Sequence, residues 1–158
     1  MEIRTAQVPD IPGILELLRQ VGRVHHEGRP DIFRSNAQKY GASQVIDMLN
    51  SPENPIFVAV EEDRVLGYCF CFMKKFDHDP VIADHKELYI DDLCVDENCR
   101  GQHLGETLFL HAKAYARELG CGSLTLNVWS CNRPAMGFYE KMGMQPQKIG
   151  MELTLEEA

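Results

Sequence analysis

LYIDDLCVDENCRGQHLGETLFLHAKAYAREL, residues 88–119, orders three elements in immediate succession. The apolar run Leu88–Val95 predicts a strand. A short polar stretch leads into Arg100-Gly101-Gln102-His103-Leu104-Gly105, and a long amphipathic pattern follows, so the order is strand, tight loop, helix. A strand that feeds its loop directly into a helix points several backbone N–H groups at one spot. Together with the positive end of the helix dipole, those donors suit a phosphate or pyrophosphate. Glycines in such a loop let the backbone approach the anion closely. The competing reading is an ordinary strand-to-helix turn that binds nothing. Two known phosphate loops can be set aside, the triphosphatase P-loop as absent and the dinucleotide Rossmann loop as a weak reading. The chain has no Gly-x4-Gly-Lys-Ser/Thr, and no Gly-x-Gly-x-x-Gly follows an N-terminal strand.

A second stretch, LTLNVWSCNRPAMGFYEKMGM at 124–144, repeats the strand-then-helix order. Leu124–Trp129 reads as a buried strand. Asn132 is a good N-cap, Pro134 falls early in the next helix, and Gly143 suits its C-terminal end. Together the two stretches resemble the GNAT superfamily of N-acetyltransferases. Arg100 and Gly105 match the outer positions of that family's Gln/Arg-x-x-Gly-x-Gly/Ala loop, while His103 stands where its first glycine is usual. The later pattern Asn-x-x-Ala-x-x-Phe-Tyr-x-x-x-Gly matches at Asn132, Ala135, Phe138, Tyr139 and Gly143. The resemblance covers essentially the whole chain.

That resemblance implies an α/β (α+β) fold with a mixed, mostly antiparallel central sheet and helices on both faces, in one domain over residues 1–158. It implies acetyl-CoA as cosubstrate and no metal. The cofactor loop would be Arg100, Gly101, Gln102, His103, Leu104, Gly105 and Glu106. Pantetheine would lie along the strand edge at Leu93, Cys94 and Val95, where the fourth and fifth strands splay apart, and a backbone N–H there would serve the thioester oxygen. Asn132, Ala135 and Tyr139 would complete the cofactor side. Tyr139 would also protonate the departing thiolate, against the plainer reading of an aromatic packed beside Phe138.

Composition bounds the alternatives. At 158 residues the chain can bury a real core, and 44% hydrophobic with 25% charged content is that of a globular protein. The absence of a basic-then-apolar leader and of a bilayer-length apolar run predicts a cytoplasmic protein with no membrane partner. A net charge of −8 argues against nucleic acid and is compatible with cationic small molecules or basic peptide termini, although solubility is the plainer and favoured reading of the charge as a whole. Six cysteines stand at 69, 71, 94, 99, 121 and 131 without any Cys-x-x-Cys pair, so packing is expected rather than metal or disulfide.

Along the chain, Glu2–Ala6 predicts a first strand. Ile11, Ile14, Leu15, Leu18 and Val21 predict a helix ending near Gly22, and His25–Arg34 reads as a loop. Ala42–Asn50 predicts a second helix. Ile56–Glu61 and Val65–Lys75 predict two strands joined by a Glu62-Asp63-Arg64 turn, and Phe76–Asp84 a loop. Gln145–Leu155 predicts a last β segment or hairpin around Gly150.

Acetyl transfer to an amine needs a neutral amine, an oxyanion donor and a proton for the thiolate. Asp91 and Asp92 are the candidates for receiving the amine and its proton. Strand alternation sends adjacent side chains to opposite faces unless a bulge intervenes. The step Leu-Tyr-Ile-Asp-Asp is similar to the Leu-Tyr-Leu-Glu-Asp of polyamine acetyltransferases, which implies a small cationic amine acceptor. The competing reading is an Asp paired with an arginine and neither touching substrate. Glu87 and Tyr89 are weaker candidates on the same strand. His25 and His26 read as a solvated pair or a proton relay. A homodimer is compatible with the sequence. The rival functions are a protein N-terminal or lysine acetyltransferase, with an open peptide groove, and a CoA-binding sensor without turnover.

Overall fold

A computed structural model of the chain describes residues 1–156. It divides into two compact units, Met1–Asn127 and the residues from Val128 onward. The first unit is built on a five-stranded sheet whose spatial order follows the chain: β1 (Glu2–Thr5), β2 (Ile56–Glu61), β3 (Arg64–Phe76), β4 (His85–Val95) and β5 (Ser123–Leu126). All neighbours run antiparallel except β4 and β5, which are parallel. The α/β class expected from the sequence, with a mixed and mostly antiparallel sheet, is the one observed.

The central strands are apolar on both faces because both are covered. Ile56–Val60 and Val65–Cys71 are continuous buried runs. On one face, Ile11, Ile14, Leu17 and Leu18 of α1 (Ile11–Gly28) and Val45 of α2 (Ala42–Leu49) pack against Ile56, Val58, Val60, Val65, Tyr68, Phe70 and Cys94. On the other, Phe57 meets the rings of His111 and Tyr115 of α3 (Leu104–Glu118) at 4.5 and 5.3 Å. The β2–β3 turn closes with Glu62 and Asp63 at φ of 49° and 63°, the two left-handed positions a type I′ hairpin requires.

The first helix is longer than the sequence predicts. Gly22 does not end α1; the helix passes through it to Gly28, so His25 and His26 lie in its last turn rather than in a loop. The glycine answers a packing need. A Cβ on Gly22 would stand 2.1 Å from the carbonyl oxygen of Ala37, which crosses the helix there. A residue read as punctuation is a contact point for the 29–41 segment.

β4 carries the decisive irregularity. Phe70 pairs with Asp92 but Cys71 pairs with Ile90, so Asp91 is the extra residue of a β-bulge. The bulge switches the faces of the strand. Leu88 and Ile90 are buried outside the α1-side cluster, whereas Cys94 belongs to it and directs its Sγ to the Leu17 carbonyl at 3.7 Å. The β4–β5 ladder ends at Ile90↔Leu126 while β4 runs on to Val95, so Asp91–Val95 lie beyond that ladder.

In the second unit, α4 (Arg133–Lys141) starts where the sequence predicts: the Asn132 side chain accepts from the Ala135 N–H at 3.3 Å, and Pro134 sits in the first turn. Gly143, at φ 96°, donates to the Glu140 carbonyl and ends the helix. The stretch 145–155, expected as a β segment, forms no ladder within its own unit among the described residues.

Candidate active site

The bulge brings both carboxylates of the acidic pair to the α1 side of the sheet. Asp91 Oδ2 accepts from the Tyr40 hydroxyl at 2.6 Å and lies 3.1 Å from Lys39 Nζ. Asp92 Oδ2 accepts from the Tyr68 hydroxyl at 2.7 Å. The rings of Tyr40 and Tyr68 both contact Phe70, at 5.5 and 4.8 Å, so one aromatic holds both donors in place. Of the alternatives open from the sequence, the exception to alternation is realised, and no arginine pairs with either Asp among the described residues.

The electrostatics follow from this packing. Although Asp92 keeps some accessible surface, loss of hydration pushes its carboxyl up to about 6, with Asp91 adding to the rise and Tyr68 and Lys39 opposing it. Burial and the neighbouring carboxylates raise the phenols of Tyr40 and Tyr68, which keeps both as donors. Burial beside Asp92 pushes the Cys94 thiol up to about 12, so it is protonated at neutral pH and is no nucleophile.

Downstream of β4 the chain is pinned before it turns. The Asp96 N–H donates to the Leu66 carbonyl at 2.8 Å. Its carboxylate accepts from the Asn98 N–H at 2.9 Å and from Arg64 at 3.1 Å, which lowers its pKa. Gln20 of α1 accepts from the Glu97 N–H at 3.1 Å. Two left-handed residues then swing the chain into α3: Gly101 at φ 85° and His103 at φ 60°, ψ 23°. This accounts for the histidine at a glycine position. The loop needs a left-handed backbone there, and histidine is among the residues that adopt one more readily. The imidazole itself points outward, 77% exposed and 3.6 Å from Glu106. The His103 carbonyl accepts from both the backbone and the hydroxyl of Thr107, at 3.0 and 2.9 Å.

The arrangement fits a pyrophosphate-bearing cosubstrate on two counts. The first N–H groups of α3, at Leu104, Gly105 and Glu106, belong to a helix start with no intrahelical acceptors. The β4 backbone at Leu93, Cys94 and Val95 lies beyond the β5 ladder. Arg100 and Gln102 are exposed beside this loop. Glu106 suits a phosphate through its N–H; its carboxylate belongs with the helix dipole. Among the described residues no group of His, Cys, Asp and Glu is disposed to hold a metal, and no helix is long and apolar enough to cross a membrane.

The other sequence candidates are placed as follows. Glu87 accepts from the Thr125 hydroxyl and from His85, and Tyr89 lies under Lys74 with Nζ 3.9 Å from the ring centroid. His25 stacks on Phe33 at 4.8 Å, and burial with Lys39 nearby lowers its pKa. His26 Nδ1 lies 2.7 Å from the Phe33 carbonyl, so both histidines fix the segment after α1. Tyr139 sits on α4 with its ring 5.2 Å from Phe138. The sequence reading missed Lys39, Tyr40 and Tyr68. Tyr68 was legible only as core, and the register between residues 40 and 91 has no local signal.

A mixed sheet of this order, with a bulged fourth strand running into a pinned loop and helix, defines a GNAT-like fold. The chain belongs to that family: the model of the Acetyltransferase (GNAT) family matches residues 23–144. The chain is 33% identical over 115 residues to the peptidyl-lysine N-acetyltransferase YjaB of Salmonella typhimurium, covering 72% of this chain and 65% of that protein. It is 41% identical over 61 residues to the streptothricin acetyltransferase of Streptomyces lavendulae, covering 39% of this chain and 32% of that protein. The matches thus span less than two thirds of the length of these curated relatives. Among solved structures, a point mutant of the BH1408 protein from Bacillus halodurans superimposes with a TM-score of 0.94 at 32% identity, covering 99% of this chain and 100% of that one.

Proposed function

We propose that the chain transfers the acetyl group of acetyl-CoA directly to a primary amine, and that the Asp91–Asp92 pair forms the acceptor seat. The observation that carries this is the bulge at Asp91. It sets two carboxylates side by side just ahead of Leu93–Val95, one of them pushed up to about 6. A carboxylate titrating near neutrality is suited to accept the proton an ammonium must lose before attack. Asp91, tied to Tyr40 and Lys39, supplies charge; Asp92, the desolvated one, supplies the base. The Arg100–Glu106 loop and the start of α3 would receive the pyrophosphate and the Leu93–Val95 backbone the pantetheine and thioester, while the cosubstrate roles of Asn132, Ala135 and Tyr139 rest on their sequence motif alone. Tyr139 would return a proton to the thiolate, giving free CoA.

A small cationic amine is the first choice of acceptor, supported by two carboxylates against one lysine in the seat and by the net charge of −8. The YjaB relative supports a second reading, a protein lysine acceptor. An acceptor panel of diamines, aminoglycosides and lysine peptides, scored by free-thiol release from acetyl-CoA, separates the two. Thiol release with none of them would leave the sensor reading standing.

A further inference from the structure

Lys39 occupies the place that the acceptor amine should take. Its Nζ is 3.1 Å from Asp91 Oδ2 and 3.5 Å from the Asp91 carbonyl oxygen, so it touches both the side chain and the bulged backbone of β4. It lies 5.5 Å from the Tyr40 ring centroid, and its charge reaches Asp92 as well. Its side chain is 46% exposed, on a segment outside any helix or strand. A primary amine held at Asp91 beside Asp92, two residues ahead of the proposed thioester edge, is chemically an acceptor already seated. We propose that Lys39 is a site of self-acetylation, modified in the absence of any external amine. This inference rests on the acetyl-transfer reading and deepens it.

The step balances without a further reactant. The Lys39 ammonium gives one proton to the Asp92 carboxylate. The neutral Nζ attacks the thioester carbonyl carbon, the C–N bond forms and the C–S bond breaks. The second proton lost by nitrogen goes to the departing thiolate as CoA thiol, and Asp92 releases the first to solvent. The product is an uncharged acetamide, which no longer pairs with Asp91 and leaves that carboxylate to Tyr40 and to an incoming cationic amine.

The test is to incubate the purified chain with acetyl-CoA alone and map acetyl-lysine by peptide mass spectrometry over time. Lys113 and Lys148 serve as internal measures of uncatalysed acetylation. Lys39 should be modified at least about tenfold faster than either, at a rate independent of protein concentration. Asp92→Asn and Asp91→Asn should each bring it down toward that background. Acetylation of Lys39 no faster than of Lys113, in a preparation that turns over an added amine, overturns this proposal alone. Absence of both Lys39 modification and thiol release with every amine overturns it together with the acetyl-transfer reading.

Discussion

Asp92 concentrates the conflict between stability and chemistry in one side chain. Its folded pKa of about 6 lies above the ordinary 3.8. A raised carboxylate works against the native state as pH rises. Between roughly pH 4 and 6 the folded chain holds a proton that the unfolded chain has released, so stability falls across that window and stays lower above it. The deficit is about 3 kcal/mol at neutral pH. Asp92→Asn keeps an acceptor for the Tyr68 hydroxyl and removes the buried charge. Its thermal midpoint at pH 8 should therefore exceed that of the parent, with the advantage vanishing near pH 4; a lower midpoint at pH 8 would contradict the desolvation argument. The same variant should lose about 10²–10⁴-fold in kcat at pH 7.5 and lack the rise in rate through pH 6. Tyr139→Phe should lower kcat by a similar factor with acetyl-CoA affinity largely intact by calorimetry, since the ring stays and the proposed proton donor to the thiolate is removed. Asp91 and Asp92 stood out in the sequence as an adjacent acidic pair and Tyr139 through the motif around it, and the roles given to them are those proposed above. Tyr40 and Lys39 did not stand out, because their roles come from a contact across some fifty residues.

At the scale of elements, several segments were read to within a residue or two: Ile56–Glu61 coincides with β2, and Ala42–Leu49 with all but the last residue of the predicted helix, whereas β4 begins three residues before Leu88 and β5 ends three residues before Trp129. The failures are instructive. Gly22 looked like a helix end because glycine costs about 1 kcal/mol against alanine in a helix interior. It sits mid-helix because the Ala37 carbonyl needs the space. Gly22→Ala should thus reverse the usual sign. Propensity alone would stabilise, whereas the 2.1 Å approach should destabilise by about 2 kcal/mol or more in urea unfolding. The bulge at Asp91 was legible only as a condition on alternation, since no residue type marks it. His103 is the converse case, a departure from the family pattern that the backbone absorbs. His103→Val should lose about 1–2 kcal/mol, because a β-branched residue is poorly accommodated at φ 60°, and His103→Gly should be no less stable than the parent.

For the molecule as a whole, the excess of acidic residues sets the two substrates of the proposed reaction against each other. A net charge of −8 attracts a cationic amine and repels the phosphates of acetyl-CoA. Those phosphates are therefore left to local devices: the α3 N-terminus, Arg100 and the loop backbone. The asymmetry explains why composition argues against nucleic acid yet could not name an acceptor, since charge is summed over the surface while the proposed recognition depends on two carboxylates placed by a bulge. It also has a measurable signature. Raising ionic strength from about 0.01 M to about 0.15 M shortens the Debye length from roughly 30 to 8 Å and screens all but the nearest pairs. The KM for a dicationic amine should rise several-fold across that range. The KM for acetyl-CoA should stay level or fall, because screening removes the general repulsion and spares the short-range contacts at the helix start. Initial rates with each substrate varied in turn, at constant pH and with a neutral osmolyte control, would show the opposed slopes. Parallel rises in both constants would mean that long-range charge has no part in acceptor choice, and the preference for a cationic amine would then rest on Asp91 and Asp92 alone.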